Sequence, residues 1–177
     1  MPKNSQKQID IDEMKVIDEL KTNANKSINN IAKECGFSRQ KVWRIIKKLE
    51  KNNTIWGYST VVDEEKHGLN YFILLLKRGA SPATAEAVEN ITSREVDEEI
   101  RKIDCEMITS LYIHGPYDWL IIFTAPDIFQ AKKVSELFKA RYHKLLTEVH
   151  LLETIFPAKI SGIVNPDINN LKSFLGE

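Results

Sequence analysis

The fold is decided by residues 27–51, SINNIAKECGFSRQKVWRIIKKLEK. In its second half, apolar residues recur at positions i, i+3, i+4 and i+7, which predicts a helix with one buried stripe. Ser38 precedes this run and is a candidate helix cap, because its hydroxyl can accept a backbone N–H. Gly36 suits the left-handed turn that ends a shorter helix before it. The stripe residues are Val42, Ile45, Ile46 and Leu49.

Two amphipathic helices are predicted before this third one. The short helix begins after Ser27, a candidate cap, and has apolar residues at Ile28, Ile31 and Ala32. A longer helix covers about residues 11–22. A short helix, a glycine-containing turn and a second helix form the helix-turn-helix arrangement, predicted here over residues 9–53. The apolar residues of the longer helix are Ile11, Met14, Val16, Ile17 and Leu20.

The charge of the chain is divided between its two parts. The whole sequence has 25 basic and 25 acidic side chains, a balance that on its own argues against a nucleic-acid partner. Residues 1–62, however, hold 12 Lys/Arg and 7 Asp/Glu, whereas residues 63–177 hold 13 and 18. The N-terminal part therefore has a net charge of +5 and the remainder −5. Such asymmetry indicates a nucleic-acid partner for the basic part.

The basic residues of the third helix lie on the face opposite its apolar stripe. The second helix of a helix-turn-helix enters the major groove with its N-terminal end first, so residues near that end approach the bases. Gln pairs with adenine and Arg with guanine through two hydrogen bonds each, whereas the later lysines are expected to meet phosphates. Trp43 has two alternatives, contact with a thymine methyl or packing against a following hairpin, and we favour the second. The candidate DNA-binding residues are Ser38, Arg39, Gln40, Lys41, Trp43, Arg44, Lys47, Lys48 and Lys51.

The rest of the chain predicts an α+β organisation. Residues 54–62 are rich in β-forming residues and predict a wing or linker strand within a linker over 54–70. After it, the order of predicted elements over residues 71–157 is β-α-β-β-α-β, the ferredoxin-like unit. Its two helices cover one face of the sheet, and pairing with a second copy would bury the apolar open face. Residues 1–8 are expected to be flexible, and 158–177 to form an extension with a short helix. Within the unit, strands are predicted at 71–77, 108–114, 119–124 and 148–156, and helices at about 82–106 and 126–142.

Six short segments carry a resemblance to a known family. They are Ile11-Asp12 through Glu19-Leu20, Ile31-Ala32-Lys33, Gly36-Phe37-Ser38, Val42 with Lys47-Lys48-Leu49-Glu50, Ile55-Trp56-Gly57-Tyr58, and Gly115-Pro116-Tyr117-Asp118-Trp119. In order and spacing, over about residues 9–157, they resemble the Lrp/AsnC (leucine-responsive regulatory protein, feast/famine) transcription regulators.

The resemblance implies a winged helix-turn-helix domain followed by a ferredoxin-like domain of the RAM type. A protein of this kind is a sequence-specific regulator that binds double-stranded DNA at a pseudo-palindromic operator as a homodimer or an octamer. It also implies an amino-acid-like effector between subunits, near the loop that contains Gly115. In this chain Pro116 replaces the first Asp of the family loop, which removes a carboxylate and a backbone N–H. The candidate effector-binding residues are His114, Gly115, Tyr117 and Asp118.

Two other functions share this architecture and stay open at this point. One is an enzyme similar to the sirohaem decarboxylases, which would need a histidine-bearing haem pocket; the other is a ligand-binding oligomer with weak DNA binding. We expect no enzymatic activity, cofactor or metal, because the chain has no HExxH-type histidine pair and no phosphate-binding glycine motif. The longest apolar runs are far shorter than the ~20 residues that cross a bilayer, and no secretory signal is recognisable, which predicts a cytoplasmic protein.

Overall fold

The computed structural model describes residues 6–176, which divide into two compact units. The first unit comprises residues 6–61 together with 158–176, and the second comprises 62–157. A helix begins at Gln6, so the expectation of a flexible segment over residues 1–8 is wrong for its last three residues. Residues 1–5 lie outside the described part of the chain.

Three helices form the body of the first unit: α1 (Gln6–Thr22), α2 (Ile28–Cys35) and α3 (Arg39–Lys51). Both predicted serine caps are confirmed. Ser27 Oγ accepts the backbone N–H of residue 30 and Ser38 Oγ that of residue 41, each at 3.2 Å. Gly36 has a φ of +67°, the left-handed conformation expected at the end of α2. The predicted helix-turn-helix is therefore present.

The core of the first unit joins all three helices through six buried residues. The apolar stripe predicted for α3 is confirmed. The prediction that all apolar residues of α1 are buried is wrong in part, since Ile11 and Met14 are 42% and 51% exposed. They lie five and two residues before the buried Val16, separations that place side chains on opposite sides of a helix. The buried residues are Val16, Ile31, Ala32, Val42, Ile45 and Leu49.

The predicted wing strand does not form. Residues 56–63 have no regular secondary structure, and a short 3₁₀ helix follows at Glu64–His67. A β-forming sequence becomes a strand only where a neighbouring strand can accept its backbone hydrogen bonds, and this segment has none among the described residues. Its side chains are correspondingly exposed, with Trp56 at 95%.

The second unit has the predicted β-α-β-β-α-β order. Its four strands form one antiparallel sheet in the order β2-β3-β1-β4, which is the ferredoxin-like topology. The helical region predicted over about 82–106, with a break near 91–92, is present but shorter: it spans residues 85–101 and breaks at 93–94. The elements are β1 (Asn70–Arg78), α4 (Ala85–Thr92), α5 (Glu95–Arg101), β2 (Glu106–Tyr112), β3 (Trp119–Ala125), α6 (Ile128–Arg141) and β4 (Leu146–Glu153).

The two faces of this sheet differ in burial. Alternate residues of β1 are buried under the helices, because successive strand side chains point to opposite faces. On this covered face, the Trp119 ring makes edge contacts with Phe138 and Tyr142, with ring centroids 5.5 and 5.6 Å apart. The other face is open in the single chain.

The C-terminal segment has a little regular structure. Strands β5 (Lys159–Ile160) and β6 (Ile163–Val164) pair with each other, and a 3₁₀ turn leads into α7 (Leu171–Leu175). The short helix expected in this extension is thus confirmed. None of the described helices is long and apolar enough to cross a membrane.

Removal of the Phe138 ring should destabilise the second unit. Phe138 is fully buried, and Phe→Ala substitutions at such sites lose about 3–5 kcal/mol of unfolding free energy. Phe129 lies on the same helix but is 71% exposed, so Phe129→Ala is a matched control with an expected effect of about 0.5 kcal/mol or less. Chemical denaturation followed by fluorescence measures both, and equal losses would contradict the packing described for α6.

Candidate nucleic-acid interface

A polar line runs along the outer face of α3. Gln40, Arg44, Lys47 and Lys51 follow each other at spacings of four, three and four residues, which align side chains on one side of a helix. All four are exposed. We call these four residues the outer stripe. The capping Ser38 and the exposed Arg39 lie at the N-terminal end of the same helix.

A buried carboxylate joins α3 to α1. The carboxylate of Asp12, only 4% exposed, accepts hydrogen bonds from Lys41 Nζ at 2.5 Å and from Gln8 Nε2 at 3.0 Å. The Lys41 ammonium also lies 3.8 Å from the centre of the Phe37 ring, in cation–π geometry. The hydrogen bond from Lys41, followed by that from Gln8, lowers the pKa of Asp12 below its usual value. Asp12 is therefore held as a carboxylate against Lys41.

This pair gives Lys41 a structural role that its position in the sequence did not reveal. If Lys41 turned away to meet a phosphate, it would leave a buried carboxylate without its cation, and an uncompensated buried charge is strongly unfavourable. The outer stripe does not face this constraint, because none of its members forms an ion pair with a described residue of α1.

Two further lysines of α3 form ion pairs nearer the surface. Lys47 Nζ donates to the Glu50 carboxylate at 2.7 Å, and the Tyr58 hydroxyl donates to the same carboxylate at 3.1 Å. Lys48 pairs with Glu13 of α1. The Lys47 and Glu50 side chains are 56% and 31% exposed, and ion pairs this close to solvent contribute only about 0–1 kcal/mol. A phosphate can therefore compete for Lys47. Lys48 is 52% exposed but its partner Glu13 only 15%, so a phosphate competes for Lys48 less readily.

The remaining cations of α3 have no acidic partner within residues 6–176. Arg39 and Lys51 are exposed and unpaired, and Arg44 makes only a long contact from Nε to the Gln40 carbonyl oxygen at 3.4 Å. These three side chains can meet an anion or a base edge without first breaking an ion pair. Of the six basic residues of α3, they are the most available to a ligand.

Trp43 borders a depression in the first unit. Its ring is 51% exposed, and it lines a cavity of about 330 Å³ together with Leu20, Ile46 and Tyr58. The hairpin against which we expected it to pack does not form. The irregular segment that contains Tyr58 lies there instead.

The predicted effector residues lie on the turn between β2 and β3. Asp118 Oδ2 accepts the backbone N–H of Arg78 at 2.8 Å, and the N–H of Asp118 donates to the Leu76 carbonyl at 2.9 Å. The Tyr117 ring makes an edge contact with His150 of β4, with centroids 5.4 Å apart. The turn is thus fixed to the neighbouring strands. His114 and Gly115 are exposed beside it.

The comparisons with known proteins agree with this architecture. Residues 13–55 match a family model described as winged helix-turn-helix DNA-binding. The fold is similar to that of PH0061, with 22% identity, 93% of this chain and 100% of that chain covered, and a TM-score of 0.66. It is also similar to an AsnC family transcriptional regulator from Agrobacterium tumefaciens (19% identity, 88% and 96% coverage, TM-score 0.60). Comparison with curated proteins finds no match.

A third similar structure contains a bound amino acid. It is a transcriptional regulator from Neisseria meningitidis in complex with L-Met, with 17% identity, 90% of this chain and 97% of that chain covered, and a TM-score of 0.63. The resemblance to the Lrp/AsnC proteins is thereby confirmed at the level of the fold.

Asp12 is the residue of this site that the sequence prediction missed. It lies four residues before Val16 and therefore on the buried side of α1. An acidic residue on a buried helix face needs a cationic or hydrogen-bonding partner, and that signal could have identified it. It could not have identified Lys41, because the two residues are 29 positions apart.

Asp12→Asn should destabilise the chain at neutral pH by about 1–3 kcal/mol, the usual penalty for breaking a buried charged hydrogen bond. The folded-state pKa of Asp12 is lowered from 3.8, so its contribution is present above that value and is lost as the pH falls through the lowered pKa. The difference in unfolding free energy between wild type and variant should therefore narrow below about pH 4. Denaturant unfolding followed by circular dichroism at several pH values measures it.

The exposed Asp18 on the same helix supplies a matched control. Asp18→Asn removes the same charge and should change the unfolding free energy by about 0.5 kcal/mol or less at every pH. If Asp18→Asn lost as much unfolding free energy as Asp12→Asn, the proposed role of the buried pair would be contradicted.

Proposed function

We propose that the protein is a sequence-specific DNA-binding transcription regulator of the Lrp/AsnC type. The observation that carries this proposal is the outer stripe of α3, exposed on the second helix of a helix-turn-helix whose buried ion pair fixes it to α1. A helix of this kind fits the major groove, which is wide enough for an α-helix and presents a distinct pattern at each base pair.

The stripe has the chemistry needed for base and phosphate contacts. Gln40 and Arg44, nearer the N-terminal end of α3, are placed to pair with adenine and guanine edges. Lys47 and Lys51, one and two turns further along, meet the phosphates, which position the protein without reading sequence. Ser38 and Arg39 approach the DNA at the helix N-terminus, and Trp43 lies at its border. We assign Lys41 to holding the helix, and Lys48 to a phosphate contact in competition with Glu13.

The open face of the sheet supports self-association. Two rows of residues cross all four strands on this face, and six of their eight side chains are leucine or isoleucine. A second copy placed against this face would bury those side chains. A dimer built in this way presents two recognition helices to half-sites about 34 Å apart, or a multiple of that distance. Octamers would be assemblies of such dimers. The rows are Leu111, Leu120, Leu75 and His150, and Thr109, Ile122, Ile73 and Leu152.

The turn between β2 and β3 is the proposed site of an amino-acid-like effector between subunits. His114, Gly115, Tyr117 and Asp118 lie there, and the similar Neisseria meningitidis regulator has L-Met bound. Asp118 already accepts a backbone N–H, so its second oxygen and the side chains of His114 and Tyr117 are the polar groups available. An effector regulates only if it binds one arrangement of the dimer better than another.

Selection of bound sequences from a random DNA pool, with and without L-methionine, tests the function. We expect enriched pseudo-palindromes with half-sites one helical turn apart, and a changed enrichment when the amino acid is present. Absence of any enriched sequence would contradict the proposal.

Arg44→Ala should relax the specificity at one base pair of each half-site. If Arg44 pairs with guanine, its removal loses about 1–3 kcal/mol of binding free energy on the selected site and much less on a site with that base pair changed. Competition binding with the two duplexes measures the difference. An equal loss on both duplexes would place Arg44 on the backbone instead.

Lys47→Ala should weaken binding to all sequences alike. The logarithm of the binding constant falls with the logarithm of salt concentration by about 0.9 per phosphate contact, so the slope should become shallower by about one for each lysine lost. Lys132→Ala is the control, because it removes one positive charge from an exposed lysine of α6, outside the helix-turn-helix. Equal slopes for Lys47→Ala and the wild type would contradict the phosphate contact.

A further inference from the structure

A small cavity, open to solvent on one side, lies in the second unit on the helix-covered side of the sheet. Its volume is about 260 Å³, and it is bordered by the ends of β1 and β2, by α4 and by the turn before β4. Its walls are largely apolar, with one guanidinium and the hydroxyl groups of a threonine and a tyrosine. The lining residues are Arg78, Ala83, Val88, Ile91, Thr92, Tyr112 and Leu145.

Arg78 is the charged group of this cavity, and its side chain has no ion-pair partner in the described part of the chain. It is the last residue of β1 and shares the helix-facing side with the buried Phe72, Leu74 and Leu76. Its Nε atom is buried without any hydrogen bond, and its guanidinium forms no ion pair with any of residues 6–176. A buried donor left without a hydrogen bond destabilises the folded chain. An anion in the cavity would remove that penalty.

A second cation acts on the Tyr112 hydroxyl at this cavity. Burial raises the pKa of that hydroxyl, and the positive charges of Arg78 and Arg94 oppose the shift. Arg94 is itself paired with Asp97, which leaves Arg78 as the cation available to a ligand.

We propose that this cavity binds a small carboxylate with a short branched or linear apolar tail. A guanidinium and a carboxylate match in a planar, two-hydrogen-bond geometry, and the apolar walls receive the tail. The volume equals that of roughly nine waters of about 30 Å³ each, which suits an acid of about four to six carbons and excludes drug-sized ligands.

This site is distinct from the effector site proposed between subunits, because its lining includes none of His114, Gly115, Tyr117 and Asp118. It is nevertheless connected to that turn. The backbone N–H of Arg78 donates to Asp118 of the β2–β3 turn, so an anion held by the Arg78 side chain acts on a residue that anchors the turn.

Isothermal titration of the full chain with 3-methylbutanoate tests the site without DNA. We expect saturable binding of one molecule per chain, and binding about tenfold or more weaker for the neutral 3-methylbutanamide, since charged hydrogen bonds contribute about 1.5–3 kcal/mol. Arg78→Gln should weaken the binding of 3-methylbutanoate by a similar factor. Ala83→Leu, which fills the cavity and keeps the charge, should weaken the binding of both ligands.

Arg101→Gln is the matched control, because it removes the same charge from an exposed arginine outside the cavity. It should bind 3-methylbutanoate as the wild type does. In the absence of ligand, Arg78→Gln should melt at the same temperature as the wild type or higher, since it removes an unpaired cation. Absence of saturable binding to the wild type, or unchanged binding by Arg78→Gln, would overturn the proposal whatever the DNA experiments give.

Discussion

The buried ion pair between Asp12 and Lys41 is the constraint on which the DNA-binding unit depends. The apolar stripe of α3 decides which side of the helix is buried. The Asp12 carboxylate is buried and tied to α3 through Lys41, so a movement of α3 that separates the two leaves a charge unpaired. The pair therefore holds α3 against α1 in the orientation that exposes Gln40, Arg44, Lys47 and Lys51.

The second unit depends on a difference between the two faces of one sheet. The helix-covered face is closed by aromatic packing around Trp119, and the open face exposes two apolar rows. The charge is also divided, with +5 on residues 1–62 and −5 on the remainder. The acidic remainder repels phosphate and leaves the basic helix as the favoured contact. The proposed carboxylate site at Arg78 is formed by residues of the second unit.

Helix caps, helical stripes and the order of strands and helices were predictable from the sequence, whereas individual contacts between distant side chains were not. The caps at Ser27 and Ser38 and the stripe of α3 depend on residues within one or two turns, and the structure confirms them. The prediction of a wing strand was wrong, because a strand needs a pairing partner that local β-propensity does not supply. Within the candidate site, the outer stripe followed from helical spacing. The different role of Lys41 could not be predicted from helical spacing, because its partner Asp12 is 29 positions away in the sequence.

A salt titration of DNA affinity for Lys41→Met tests most directly whether this lysine holds the helix or touches the DNA. If it holds the helix, the variant melts at a lower temperature while the slope of the logarithm of affinity against the logarithm of salt stays at the wild-type value. A slope shallower by about one, with an unchanged melting temperature, would contradict the role given to the Asp12–Lys41 pair.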